Sequence, residues 1–287
     1  MIMEKKENSG PLVLLLLDGW GIAAAGEGNA IAKAETPIFK ELTAKYPATI
    51  LSPSHLAIAK KQASVPANYL AIGTGKWKAL KKDSSLFDYL KIAGKKILSL
   101  ADAEKIAYGA FFVNNKKKVE TDNFGVIEPL VGLDATKALT AELLKKIKSR
   151  KFDFILAIFS SLDLAAHNGN FSAAITATEA IDQALDKIVK TVLDNSGVLL
   201  ISSSHGNAED LIRMQTELKN QKDTNNPVPL IIIGRQFEGK SFGFPEAPGG
   251  DLSLVPPAGS LIDLAPTIMK IMNITAADGA FDGKSLI

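Results

Sequence analysis

PLVLLLLDGW, residues 11–20, is the stretch that decides the fold. Leu12–Leu17 is apolar without interruption, and Asp18-Gly19 ends the run. A strand with one wet face alternates apolar and polar side chains. An unbroken short run is what a strand buried on both faces needs. A strand is therefore expected over Pro11–Leu17. The same signature returns at Phe152–Phe159, Gly197–Ser202 and Val228–Ile233, with shorter candidates at Ala48–Leu51, Lys96–Leu100 and Tyr108–Val113. Helical patterns lie between them. Thr36-Pro37 reads as N-cap and first residue of a helix reaching Lys45. Ser85–Ala93 is stopped by Gly94. Thr136–Lys148 puts Leu139, Leu143, Leu144 and Ile147 on one face, and Phe171–Leu193 keeps Ala174, Ile181, Leu185 and Ile188 in register. Leu261–Met272 is the last substantial helix. Ser52–Asn68 and Gln236–Gly259 read as loops, and residues 1–10 as a loose leader. Strands alternating with helices predict one α/β domain over 1–287, with a mainly parallel sheet sandwiched in three αβα layers.

Composition narrows the function. The chain has 287 residues, 46% of them hydrophobic, enough for a sizeable core and too many for wholesale disorder. The formal net charge of +2 makes no case for nucleic acid or an anionic membrane as partner. There is no cysteine, which excludes disulfides, thiolate metal sites and a cysteine nucleophile. That absence fits a reducing compartment, and a cytoplasmic location is the expectation. The run Leu12–Leu17 is far short of the ~20 residues that cross a bilayer.

In parallel sheets, ligands gather beyond the carboxyl ends of strands. The polar residues just after the apolar runs are Asp18, Asp163 with His167, and Ser204-His205, while Asp223 precedes Val228. Carboxylates and imidazoles converging from several strand ends are what a divalent metal needs. Asp163 and His167 are four apart, so one helical turn puts both on one side. Taken singly, each of these residues has an ordinary structural use as a turn former or cap; the set carries the signal. His55, in the loop Ser52–Asn68, is read as structural.

The motifs then resemble a known family. PLVLLLLDGWGI (11–22) followed by EGNAIAKAETP (27–37) closely resembles the start of cofactor-independent phosphoglycerate mutases, members of the alkaline phosphatase superfamily. AEKIAYGAFFVNN (103–115), SSLDLAAHNGNFSAAI (160–175), SSSHGNAED (202–210), NNPVPLIII (225–233), IDLAPTIMKIM (262–272) and DGKSLI (282–287) continue it in order. The resemblance implies a two-metal site, usually manganese. Asp163 and His167 match two ligands of the first ion, and Asp223 stands where the family has a third, histidine ligand. Asp18 and His205 match ligands of the second ion, whose further aspartate has become Ser204. The nucleophilic serine falls on Val65 without a gap, and on Ser64 with a one-residue shift. Lys105 matches a lysine that would contact phosphate.

A larger departure concerns the second domain that family mutases carry after a Gly-Ala-Gly-Arg segment, which holds and reorients the phosphoglycerate. Here Gly75-Lys76 runs almost directly into Ser84-Ser85-Leu86. The expectation is a phosphoglycerate-mutase-like metal-binding domain with weakened or lost phosphoryl transfer. It would hold one manganese or zinc ion rather than two. The alternative is an active metal-dependent phosphoryl hydrolase or transferase, using water or Ser64, or a glycolytic mutase whose missing domain a partner protein supplies. Either active form would take a phosphorylated small molecule.

Overall fold

The computed structural model describes residues 10–53, 64–102, 104–117, 124–127, 133–213, 218–219 and 221–287. Residues 1–9 of the expected leader, and His55, lie outside the described residues. The apolar runs become strands: β1 Leu12–Leu17, β2 Ala48–Ser52, β3 Ile97–Asp102, β4 Phe124–Ile127, β5 Phe154–Phe159, β6 Val198–Ser202, β7 Ile212–Arg213, β8 Leu218–Lys219, β9 Val228–Ile233 and β10 Gly259–Ser260. Strands β7 and β8 form a separate two-stranded ladder. The other eight make one sheet in the order β10-β2-β9-β6-β1-β5-β3-β4. Every pairing in it is parallel except those of β9, which runs antiparallel to both β2 and β6.

The helices are α1 Ala30–Lys33, α2 Pro37–Lys45, α3 Val65–Thr74, α4 Leu86–Ile92, α5 Leu133–Ser149, α6 Ser161–His167, α7 Phe171–Asp194 and α8 Leu264–Ile271. Alternate residues of β1 serve the two faces of the sheet. Val13, Leu15 and Leu17 pack with Phe39 and Leu42 of α2, Leu139 and Leu143 of α5, and Ile181 and Leu185 of α7. Leu12, Leu14 and Leu16 pack with Ile72 of α3, Leu90 of α4 and Ile268 of α8. The single α/β domain with its mostly parallel sheet thus follows from β1 having no polar face to leave in water. Each buried leucine contributes ~1.5–3 kcal/mol. No helix of the described residues is long and apolar enough to cross a membrane.

Several local expectations need correction. Tyr108–Val113 is not a strand but holds a π-helical turn over Tyr108–Phe112. That winding sets the Tyr108 and Phe112 rings against each other at a tilt, with centroids 5.5 Å apart. It also lets Gly109 approach Ser99 and Ile158 where a Cβ would have no room. The strand beside β3 is instead β4, four residues that are too short to show a period. The stretch Ser52–Asn68 is not loop throughout, since α3 begins at Val65. Asp163 and His167 do lie one helical turn apart, on α6. Thr36 precedes α2 but makes no side-chain cap. The carboxylate of Asp182 on α7 accepts the Ile38 and Phe39 amides, at 3.2 and 2.7 Å.

Candidate metal centre

The site is built where β1, β5 and β6 end. Because β9 runs the opposite way, the segment leading into it reaches that same end of the sheet. Beyond the strands, backbone bridges link Gly19 to Gly206 and Gly206 to Thr224. These carry the register outward and bring Asp18, His205 and Asp223 together. Gly19 has a φ of +82°, and a Cβ on it would stand 2.9 Å from the Asp163 Cα. Any side chain there would drive the Asp18 turn away from α6.

Asp163 is the hub. Its Oδ1 lies 3.0 Å from His205 Nε2, 3.2 Å from His167 Nε2 and 3.3 Å from Asn207 Nδ2. Asp223 Oδ1 lies 3.2 Å from His167 Nε2 and 3.4 Å from His205 Nε2. One donor atom from each of Asp163, His167, His205 and Asp223 falls within 4.8 Å of the other three. His205 is fully buried and the Asp163 side chain nearly so, whereas the His167 side chain is 42% exposed. The centre therefore opens to solvent on the His167 side.

Hydrogen bonding sets the histidine tautomers. His167 Nδ1 lies 2.8 Å from the Gln221 carbonyl, so it carries the proton and donates. Ser204 Oγ donates its one proton to Asp18 Oδ1 at 2.7 Å, so at 2.7 Å from His205 Nδ1 it accepts. Both rings thus commit Nδ1–H elsewhere and turn Nε2 toward two carboxylate oxygens. That orientation, with the second nitrogen held by an outer partner, is the arrangement of a metal-ligating histidine. Two imidazole nitrogens and two carboxylate oxygens suit a divalent cation, so the residues present fit one.

These carboxylates also favour a proton on either Nε2. The hydrogen bond to Asp163, joined by that to Asp223, pushes the His167 pKa up to about 10. Burial opposes charge on His205, but Asp163, joined by Asp18 and Asp223, outweighs it and raises that pKa too. Burial likewise disfavours ionised Asp163, yet His205, His167 and Lys105 hold its pKa well below the usual carboxylate range.

Asp18 has a different environment. Its Oδ2 accepts the Tyr69 hydroxyl at 2.6 Å and lies 3.1 Å from Lys105 Nζ, while Ser204 occupies Oδ1. Lys105 Nζ also donates to Asp163 Oδ2 at 2.8 Å. Of the residues expected to form a site, Asp18, Lys105, Asp163, His167, His205 and Asp223 come together. Among the described residues, no hydrogen bond joins the Ser64 side chain to them. Ser64 is exposed at the start of α3 and makes no side-chain cap bond. Among the described residues, sequence reasoning missed Tyr69, Asn68 and Asn207. Asn68 donates to the Ser204 carbonyl at 2.7 Å and holds that turn in place. A tyrosine within the apolar YLAI of α3 was the available signal, because a buried hydroxyl needs a polar partner.

Comparison with known proteins places these features in a family context. The model of the metalloenzyme superfamily matches residues 10–276. A 2,3-bisphosphoglycerate-independent phosphoglycerate mutase of Vesicomyosocius okutanii is 31% identical over 217 residues, which are 72% of this chain and 40% of that protein. The Methanosarcina barkeri protein named 2,3-bisphosphoglycerate-independent phosphoglycerate mutase 2 is 30% identical over 217 residues, 72% of this chain and 38% of its own. The chain thus spans about two fifths of the length of these relatives. In three dimensions, the fold is similar to Leishmania mexicana phosphoglycerate mutase, with a TM-score of 0.77 at 11% identity, covering 99% of this chain and 98% of that one. It is also similar to alkaline phosphatase from the Antarctic bacterium TAB5, with a TM-score of 0.62 at 12% identity, covering 93% of this chain and 98% of that one.

Proposed function

The chain belongs to the metalloenzyme superfamily, and from that premise we propose that it is a phosphoglycerate-mutase-like domain that binds one divalent ion and by itself does not interconvert phosphoglycerates. The observation that carries this reading is the convergence of Asp163, His167, His205 and Asp223 within 4.8 Å. Manganese and zinc are the ions that donor set favours. A bound divalent ion supplies Lewis-acid charge toward a phosphoryl oxygen.

The chain's own groups do the rest. Asp163 and Asp223 provide the negative charge that holds a cation. The Gln221 carbonyl and Ser204 fix the two imidazoles with Nε2 facing inward. The exposed side of His167 leaves an approach for an anionic ligand. Covalent phosphoryl transfer needs a nucleophile in contact with the centre. The Ser64 side chain makes no hydrogen bond to the cluster among the described residues, and the position beside it is Val65. Turning a phosphoglycerate around also needs a second set of holding groups, and Gly75 is followed only by a short basic segment before α4.

A second reading is metal-dependent hydrolysis of a phosphate ester, with water as nucleophile. The open side of the centre at His167 favours it. A mutase completed by a partner protein is its extension. The test is an assay of the full chain with Mn²⁺ or Zn²⁺, on 3-phosphoglycerate and on p-nitrophenyl phosphate. The proposal expects no mutase turnover. Turnover on the ordinary scale of ~1–1000 per second, abolished by Ser64→Ala, would overturn it. Ester hydrolysis abolished by His167→Ala would establish the second reading.

A further inference from the structure

We infer that the ammonium of Lys105, with the hydroxyls of Tyr69 and Ser204, is the fixed occupant of the second cation position that the family resemblance implies beside Asp18, so that the centre is built for one divalent ion. The inference rests on the proposed ion at Asp163, His167, His205 and Asp223.

Three observations converge on it. First, the Asp18 carboxylate is already engaged. Its Oδ1 accepts Ser204, and its Oδ2 accepts Tyr69 at 2.6 Å and meets Lys105 Nζ at 3.1 Å. The Lys105 ammonium bridges Asp18 and Asp163, as a cation shared by two carboxylates would. Second, His205 has no nitrogen left for another ion. Its Nδ1 bonds to Ser204, and its Nε2 faces Asp163 and Asp223. A second divalent ion would be left without enough donors, since Ser204 is a weak one.

Third, the charges balance. One divalent ion and the Lys105 ammonium together match Asp18, Asp163 and Asp223. Adding another divalent ion would leave excess positive charge in a buried site, which is costly. The lysine is also locked in place. Its backbone amide donates to Asp102 Oδ1 at 3.1 Å, and its ammonium lies 5.2 Å from the Tyr108 ring centroid. A tethered ammonium cannot be removed by a chelator, exchanged or replaced by a different metal.

The test counts ions bound to the chelator-stripped full chain after equilibrium dialysis against Mn²⁺ and, separately, Zn²⁺, with elemental analysis as the readout. Wild type takes up one ion. Asp18→Asn keeps that count, because Asp18 serves the lysine and not an ion. Lys105→Met combined with Ser204→Asp frees the position, restores a carboxylate and takes up one ion more than wild type. Two ions in wild type would overturn the inference, as would an ion lost in Asp18→Asn or a folded double variant with an unchanged count. Should the double variant fail to fold by circular dichroism, wild type and Asp18→Asn decide: one ion in both supports the inference, and two ions in wild type or an ion lost in Asp18→Asn overturns it. The underlying four-donor reading fails separately, by an ion count of zero in wild type. Even then, a gain of one ion in the double variant would support the lysine's role, and no gain would overturn it.

Discussion

His205 Nε2 stands 3.0 Å from Asp163 Oδ1, with the histidine fully buried and the aspartate nearly so. The pair has no water to fall back on. Asp163→Asn would strip the main counter-charge from His205 and one of the two carboxylates that Lys105 bridges. Metal-free Asp163→Asn is expected to lose ~3–5 kcal/mol, the usual penalty for breaking a buried pair by removing one partner. Denaturant unfolding of chelator-treated wild type and variant measures this. A loss below ~1 kcal/mol would mean that the pair is not a buried ion pair in solution.

Ion uptake should release protons. In the metal-free protein, His167 holds its Nε2 proton up to about pH 10 because of its bonds to Asp163 and Asp223. A cation must displace that proton, so apparent affinity rises with pH, by roughly tenfold per unit for each proton displaced. The same shift fixes the sign for stability. A pKa raised from 6.5 gives stability that is fully present below pH 6.5 and lost as pH climbs through about 10. Calorimetric titrations in buffers of different ionisation heat report the released protons, and melting of the metal-free chain across that window reports the stability. Affinity flat from pH 6 to 9 would show that His167 gives up no proton to the ion.

Glu209 should limit stability at neutral pH. Burial pushes its pKa up; Oε1 accepts Asn226 at 3.0 Å together with the Thr224 hydroxyl, and Oε2 is buried without a partner. A carboxyl whose pKa is raised in the fold stabilises at low pH, and that contribution fades as pH rises through its folded value. Glu209→Gln removes the charge and keeps the shape. The variant should melt at or above wild type at pH 8, and its advantage should shrink as pH falls toward 4.5. A variant that melts lower at pH 8 would show that the ionised carboxylate is stabilised after all.

Leu15→Ala tests the core that frames the site. Leu15 is fully buried at the centre of β1, between β5 and β6. The substitution should cost ~2–5 kcal/mol by denaturant unfolding. Ser64→Ala should cost less than the ~1 kcal/mol typical of a lost N-cap, because the Ser64 side chain makes no cap bond. A Ser64→Ala loss comparable to that of Leu15→Ala would place Ser64 in contacts the fold does not show.

The fold was legible wherever burial on both faces left a continuous apolar run, as in Leu12–Leu17, Phe154–Phe159 and Val228–Ile233. It was not legible where context decides. Tyr108–Val113 has strand composition, yet it winds into a π-helical turn that sets Gly109 close against the sheet. Four residues at Phe124–Ile127 carry no readable period. Asp18, Asp163, His167, His205 and Asp223 could be listed because strand ends collect ligands. That the lysine lies between Asp18 and Asp163, rather than turned outward, depends on the side chains meeting from β1, β3 and β5. No spacing along the chain encodes that meeting. Tyr69 escaped for the same reason: its partner Asp18 is 51 residues away.

The four donors of Asp163, His167, His205 and Asp223 are proposed to hold a divalent ion. Isothermal titration of chelator-stripped wild type, His167→Ala and Asp223→Ala with Mn²⁺ and with Zn²⁺ tests that claim most directly. Wild type should show one saturable site, and each variant should lose at least tenfold in affinity while keeping the wild-type circular dichroism spectrum. Equal affinity in wild type and both folded variants, or no binding in wild type, would contradict it.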